Sequence, residues 1–207
     1  LVKACSALQS LKTDGGDQAI HKFLSSPLCV LFNMYSASPS LTEAHLQCLA
    51  AAAGFLKGFA GSKENVQALF KSNQSKGSLG SSLCKAMLKA VGSYNEGNGV
   101  GVDFLCNALN VFRVAAQSND KSVRSALLKL RLPTALCGVL EGLPDRDDAM
   151  GVDICAGANE DVAMPVARTL GRLSLQEPMR KCLNTDPHCV RDILRLLVYF
   201  GDKAVMS

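Results

Sequence analysis

The sequence predicts an all-α chain built as a solenoid of helical repeats, and three observations carry that expectation. One pattern returns four times: a small-apolar helix end, a polar turn, then a new amphipathic start. It reads ALQSLKTDGGDQAIHKF from Ala7 to Phe23, FLKGFAGSKENVQALF from Phe55 to Phe70, VFRVAAQSNDKSVRSALL from Val111 to Leu128 and, with a shorter turn, TLGRLSLQEPMRKCL from Thr169 to Leu183. Self-similarity at a spacing of tens of residues marks a chain whose units bury their apolar faces against one another. Apolar residues also recur at helical spacing almost everywhere, while period-two alternation bounded by turns is hard to find. Finally, 48% of the 207 residues are hydrophobic and 19% charged, enough to bury a sizeable core.

In chain order the spacing predicts helices near 2–12, 15–24, 27–36, 41–60, 62–71, 80–93, 102–117, 120–130, 133–142, 159–175, 177–184 and 187–200. Ser40 and Thr42 supply cap acceptors ahead of Glu43, a first-turn carboxylate for the free N–H groups. Pro27, Pro133, Pro178 and Pro187 each fit an early helical position, where a missing N–H costs nothing. Pro165 falls inside the helix predicted from Asn159, so that helix either begins closer to Met164 or is kinked. Two inserts interrupt the pattern. KSNQSKGSLG at 71–80 reads as a mobile loop, and Leu143–Ala158 as a longer acidic loop of a length that is uncommon without a function. The helices group into one domain over 1–207, with units near 1–36, 40–93, 101–142 and 159–200. Both chain ends read as interrupted repeats, so the expectation is an excerpt of a longer solenoid whose open ends favour head-to-tail self-association.

Composition narrows the function classes. The longest uncharged apolar stretch, around Cys48–Leu56, is about half of the ~20 residues that cross a bilayer, so no membrane span is expected. The nine cysteines are scattered, and the closest two, Cys182 and Cys189, have six residues between them, with no CxxC. That pattern fits free thiols used as small apolar residues in a reducing compartment, cytoplasmic or also nuclear, and no structural metal. Cys189, beside His188 and near Arg191, is the one thiol with a partial case for reactivity. The net charge is +4, yet Asp145, Asp147, Asp148, Asp153, Glu160 and Asp161 are accompanied by one base, Arg146, so the remainder is more basic than the total. Lys121, Arg124, Lys129 and Arg131 decorate one helix and read as a solvated outer face. Three Tyr and no Trp leave few stacking platforms for single-stranded nucleic acid.

The repeated pattern resembles the armadillo repeat family. Phe112, Ala115, Asn119, Val123, Leu127, Leu132 and Pro133 follow its consensus, as do Leu56, Phe59, Glu64, Asn65, Ala68 and Leu69. The resemblance implies a right-handed superhelix of three-helix units, with a concave face lined by each unit's third helix. In its peptide-binding members an asparagine on that helix grips the bound backbone. At the matching positions this chain has Ser10, Gly58, Val114 and Arg172, so the asparagine ladder is missing and an extended-peptide mode is in doubt. One helical turn earlier stand Ser6, Gly54, Asn110 and Arg168. The resemblance thus gives a groove that is small and flat at Ser6, Ser10, Gly54 and Gly58, and more polar toward Asn107, Asn110, Arg168 and Arg172. Gly54 and Gly58 either admit a partner helix or relieve crowding inside the chain. Arg168 and Arg172, four apart on one face, suit carboxylate or phosphate groups, and their compensating acids are either the chain's own acidic loop or a partner.

Catalytic patterns are weak. Gly97-Asn98-Gly99-Val100-Gly101 lacks the third glycine and the preceding strand of a dinucleotide loop and reads as a turn. The Asp145–Gly151 stretch lacks the ligand spacing of a calcium loop, and His21, His45 and His188 stand on separate repeats. No cofactor or metal is expected. The sequence therefore favours a non-catalytic scaffold or adaptor that holds a protein or peptide partner, acidic in character, on its concave face. The alternatives are a regulatory module of an enzyme or small GTPase, or a HEAT-like structural segment of a larger assembly.

Overall fold

A computed structural model describes residues 17–71, 77–92, 99–141 and 158–194, with the side chains of 17–26 and 158–160 outside that description. The helix expected near 2–12 and the acidic loop up to Glu160 therefore lie outside the described residues, as do the side chains of the first motif copy. Among the described residues the chain is all-helical. The helices are α1 (Asp17–Ser36), α2 (Glu43–Phe59), α3 (Lys63–Phe70), α4 (Leu79–Val91), α5 (Gly99–Gln117), α6 (Lys121–Lys129), α7 (Leu132–Glu141), α8 (Ala158–Ser174) and α9 (Glu177–Thr185). A further helix, α10, spans 187–194.

Local chemistry sets most starts. Thr42 caps α2 by accepting from the His45 N–H at 3.3 Å, and His45 Nδ1 returns a bond to the Thr42 N–H, closing a reciprocal box. Ser62 caps α3 and Ser78 caps α4, each accepting from the N–H three residues on. Asp120 caps α6, its Oδ1 accepting from the N–H groups of Ser122 at 2.8 Å and Val123 at 3.1 Å. Pro133, Pro178 and Pro187 fall in the first turns of α7, α9 and α10, as expected. Arg131, between α6 and α7, has a φ of 50°, a left-handed conformation that glycine adopts more easily.

Three expectations are corrected. The helices expected at 15–24 and 27–36 are one helix with Pro27 inside. A proline removes one ladder bond, and the turn that follows it is held in place by Leu28, Cys29, Leu31 and Phe32, all buried in the core. The glycine-rich turn expected at 97–101 is partly helical, since Gly99 opens α5. Pro165 neither shortens nor splits α8, which runs through it from Ala158. Without a proline N–H, the Asp161 carbonyl has no donor four residues on, and the Cys106 thiol of α5 donates to it at 3.2 Å.

Each of α1 to α5 meets the helix three places later, which sets the helices in rows. α2 lies on α5 and α5 on α8; α1 lies on α4 and α4 on α7; α3 lies on α6. α10 extends the second row, tied to α7 by Glu141, which accepts from Arg191 and contacts His188 at 3.1 Å. The core runs between the rows, and α5 is its axis, with Phe104, Leu105, Ala108, Leu109, Phe112 and Ala115 fully buried. Each such Leu or Phe contributes about 1.5–3 kcal/mol relative to exposure, which fixes the helix facing α8. Gly80 serves close packing, since a Cβ there falls within 3.0 Å of three Phe70 ring atoms. Asn65 is 3% exposed and donates through Nδ2 to the Phe59 carbonyl at 2.9 Å, stapling the start of α3 to the end of α2.

Candidate functional site

The residues singled out by the repeat pattern stand on the row α2, α5, α8, and that row changes character along its length. Ser6 and Ser10 lie outside the described residues. On α2, Gly54 is half-buried and Gly58 exposed. A Cβ at Gly58 meets nothing within 4 Å, so this glycine relieves no crowding and leaves bare backbone at the surface. On α5, Asn107 accepts from Lys57 Nζ of α2 at 3.4 Å. Asn110 is turned onto its own helix: its Nδ2 donates to the Cys106 carbonyl at 2.9 Å and its Oδ1 accepts from Arg113 Nε at 3.2 Å. Val114 is half-buried and packs against the core. The residue that faces the groove from this turn is Arg113.

Arg168 and Arg172 are exposed on α8, as expected, and with Arg113, Gln117, Gly171 and Leu175 they line a groove of about 330 Å³ between α5 and α8. Among the described residues none of these three arginines makes an ion pair. The acids expected to neutralise them lie outside the described residues, except Asp161, which is exposed and likewise unpaired within them. Arg172 occupies the last turn of α8, where the helix's free carbonyls offset part of its charge. Arg168, one turn back, is farther from those carbonyls.

Beside this groove, at the rim where the α5–α6 and α8–α9 turns meet, is a second cavity of about 640 Å³. Lys121, Arg124, Ser125 and Leu128 of α6 form one wall, and Leu175, Pro178 and Met179 the other. Arg124 is oriented by its own turn, donating to the Ser118 carbonyl at 3.1 Å and to Asn119 Oδ1 at 2.5 Å. Lys121 and Arg124, expected to do no more than solvate an outer face, thus line a cavity. Leu175 is 73% exposed although it is a leucine in a turn between two packed helices. Sequence reasoning missed Arg113, Gln117 and Leu175. The first two stand four apart on α5, beside Val114, and an apolar residue in the polar turn SLQEP is a signal for the third.

No family model matches this chain, and no curated protein or solved structure does either. Its chemistry rests on its own geometry.

Cys189 is buried on α10, and that burial raises its thiol pKa, the opposite of what a nucleophilic thiolate needs. Cys137, against it, is raised for the same reason. Cys29, Cys84, Cys137 and Cys189 are buried free thiols, while Cys48, Cys106 and Cys182 are half-buried. Burial lifts Cys84 and Cys106 to about 11, with the charges of Asp161 and Asp103 adding at Cys106. Among the described residues no cluster of three or more His, Cys, Asp or Glu can hold a metal ion. By length and composition alone α5 could cross a bilayer, contrary to the reading of its sequence, but half of that stretch is buried against neighbouring helices.

Proposed function

We propose that this chain is a non-catalytic interaction scaffold, an armadillo-like right-handed solenoid, and that the face formed by α2, α5 and α8 holds an acidic segment of a partner protein. The solenoid reading is supported by the packing order, in which α1 meets α4, α2 meets α5, α3 meets α6, α4 meets α7 and α5 meets α8. The observation that carries the binding reading is the trio Arg113, Arg168 and Arg172 around one groove, with no ion pair among the described residues. Like charges four apart on a helix repel by a few tenths of a kcal/mol, roughly, and a carboxylate-bearing partner converts that repulsion into charge-assisted, forked hydrogen bonds. The flat end, with Gly58 exposed and Lys57 already bonded to Asn107, offers a partner less to grip. Weight therefore falls on the arginine end.

The test is a cross-linking pull-down from native extract with the unmodified chain and the Arg168→Glu/Arg172→Glu double variant. The reading expects a partner captured by the first and lost by the second, with equal helicity by circular dichroism. A partner retained by both removes this groove from the function.

A further inference from the structure

Resting on the reading of this row as a partner surface, we propose that the groove between α5 and α8 continues over the rim into the larger cavity, and that the two together take one acidic peptide segment whose carboxylates flank a large apolar side chain. The two depressions are continuous, because Gln117, Arg172 and Leu175 line both. Their charge has one sign. Arg113 and Arg168 stand in the groove, Lys121 and Arg124 in the cavity and Arg172 at the join, while Glu177 on the cavity wall is matched by Lys181 at 3.0 Å.

The apolar part is what separates this site from a simple basic patch. Leu175 at 73% and Leu128 at 38% exposure belong to opposite walls of the cavity, above Met179, which is buried. A cavity of about 640 Å³ is within the range that encloses a large side chain or small ligand. Anchors seated in a desolvated pocket carry much of the energy of an interface, and arginine is among the residues that do so.

The preceding junction explains why this one is open. Between α3 and α6, Gln67 Nε2 donates to Asp120 Oδ2 at 2.6 Å and bridges the gap. Between α6 and α9, Ser125 stands at the same place in its helix as Gln67, and Gln176 at the same cap as Asp120. Serine is too short to bridge, and the Gln176 amide turns away to the Ala116 carbonyl at 3.0 Å. The opening is therefore written in two side chains. Arginines distributed over three helices suit several spaced carboxylates, and among the described residues neither depression has an aromatic wall on which a nucleic-acid base can stack.

The experiment is fluorescence polarisation with short synthetic peptides carrying glutamates around one leucine at varied spacing, alongside versions with Gln for Glu and Ser for Leu. Oligothymidylate and heparin serve as non-peptide polyanions. The expected result is that a Glu/Leu peptide binds, that Arg172→Glu and Leu175→Ser each weaken it by roughly tenfold or more, and that Arg180→Glu on the exposed side of α9 does not. Loss with Arg168→Glu but none with Leu175→Ser or Leu128→Ser leaves the partner surface standing and overturns its continuation into the cavity. Equal competition by oligothymidylate or heparin, indifference to the peptide leucine, or no binding at any spacing overturns it as well. So does a second copy in the groove, seen as a dimer by sedimentation that Arg172→Glu dissolves. Tighter peptide binding after replacing Asp145, Asp147 and Asp148 by Asn would assign the groove to the chain's own acidic segment.

Discussion

The junction between α3 and α6 and the junction between α6 and α9 use the same two positions of their helices, the fifth residue after the N-cap of one and the N-cap of the other, yet one is closed by a hydrogen bond and the other is left as a cavity. In the first, Asp120 caps its own helix and accepts from Gln67 of the preceding unit, so one carboxylate serves both local structure and the contact between units. In the second, Gln176 stands at the cap without capping, and its amide reaches the end of α5 instead. The difference teaches that the core helices pack without needing every lateral bond between their neighbours. Where such a bond is absent, surface becomes available for a partner.

Four experiments break or sharpen that comparison. The largest effect is expected from Phe112→Ala. Phe112 lies fully buried on α5, the core helix that leads into α6, which both junctions share, and its ring is 6.2 Å from that of Phe70. Truncation should destabilise the fold by about 3–5 kcal/mol in urea unfolding. A value under ~1 kcal/mol would mean that α5 is not the common axis. Next, Gln67→Ser gives the closed junction the side chain of the open one. It should lower stability by about 1 kcal/mol, against no comparable loss for Ser125→Ala in the open junction.

A pH series isolates Asp120. Hydrogen bonds from the Ser122 hydroxyl, the Val123 and Ser122 N–H groups and Gln67 hold its carboxyl at about 2, below the ordinary 3.8. A carboxyl with a depressed folded-state pKa stabilises fully above its unfolded value, and the contribution is lost as pH falls through the folded one. The urea midpoint of the unmodified chain should therefore exceed that of Asp120→Asn above pH 4, and the difference should shrink between about pH 4 and pH 2. A difference that persists at pH 2 would show that the charge is not what Asp120 contributes. The smallest effect is expected from Arg131→Gly, which relieves a φ of 50° and should raise stability by a few tenths of a kcal/mol, roughly, in the same assay.

The helical class and most boundaries were legible because apolar periodicity and cap residues act locally: Thr42, Ser62, Asp120, Pro133 and Pro178 each do at the helix ends what their chemistry suggests. The misreadings share a cause. The sequence puts Pro27 at a helix start and has Pro165 delay or kink its helix because a lone helix loses a bond at proline, whereas here burial of Phe32 and Val166 in the core holds the helix through it. Arg168 and Arg172 were visible as a pair at helical spacing. Arg113 and Leu175 stand outside the positions that the repeat pattern singles out, and only the packing of α5 against α8 shows that they line the groove. Which unit lacks a lateral bridge depends on matching Gln67 to Ser125 across two helices, and only the packing supplies that match.

The thiol of Cys106 makes two distant positions in the sequence dependent on each other. Its bond to the Asp161 carbonyl has a use because Pro165 provides no donor there. Exchanging Pro165 for alanine would return the carbonyl to its own helix and make the thiol redundant; exchanging Cys106 for alanine alone would leave that carbonyl to solvent. The two substitutions should therefore be non-additive, the double variant losing less than the sum of the singles. A chain that drifts at one of these positions changes what is tolerated at the other, and the order in which the two changes arrive decides whether the intermediate is penalised.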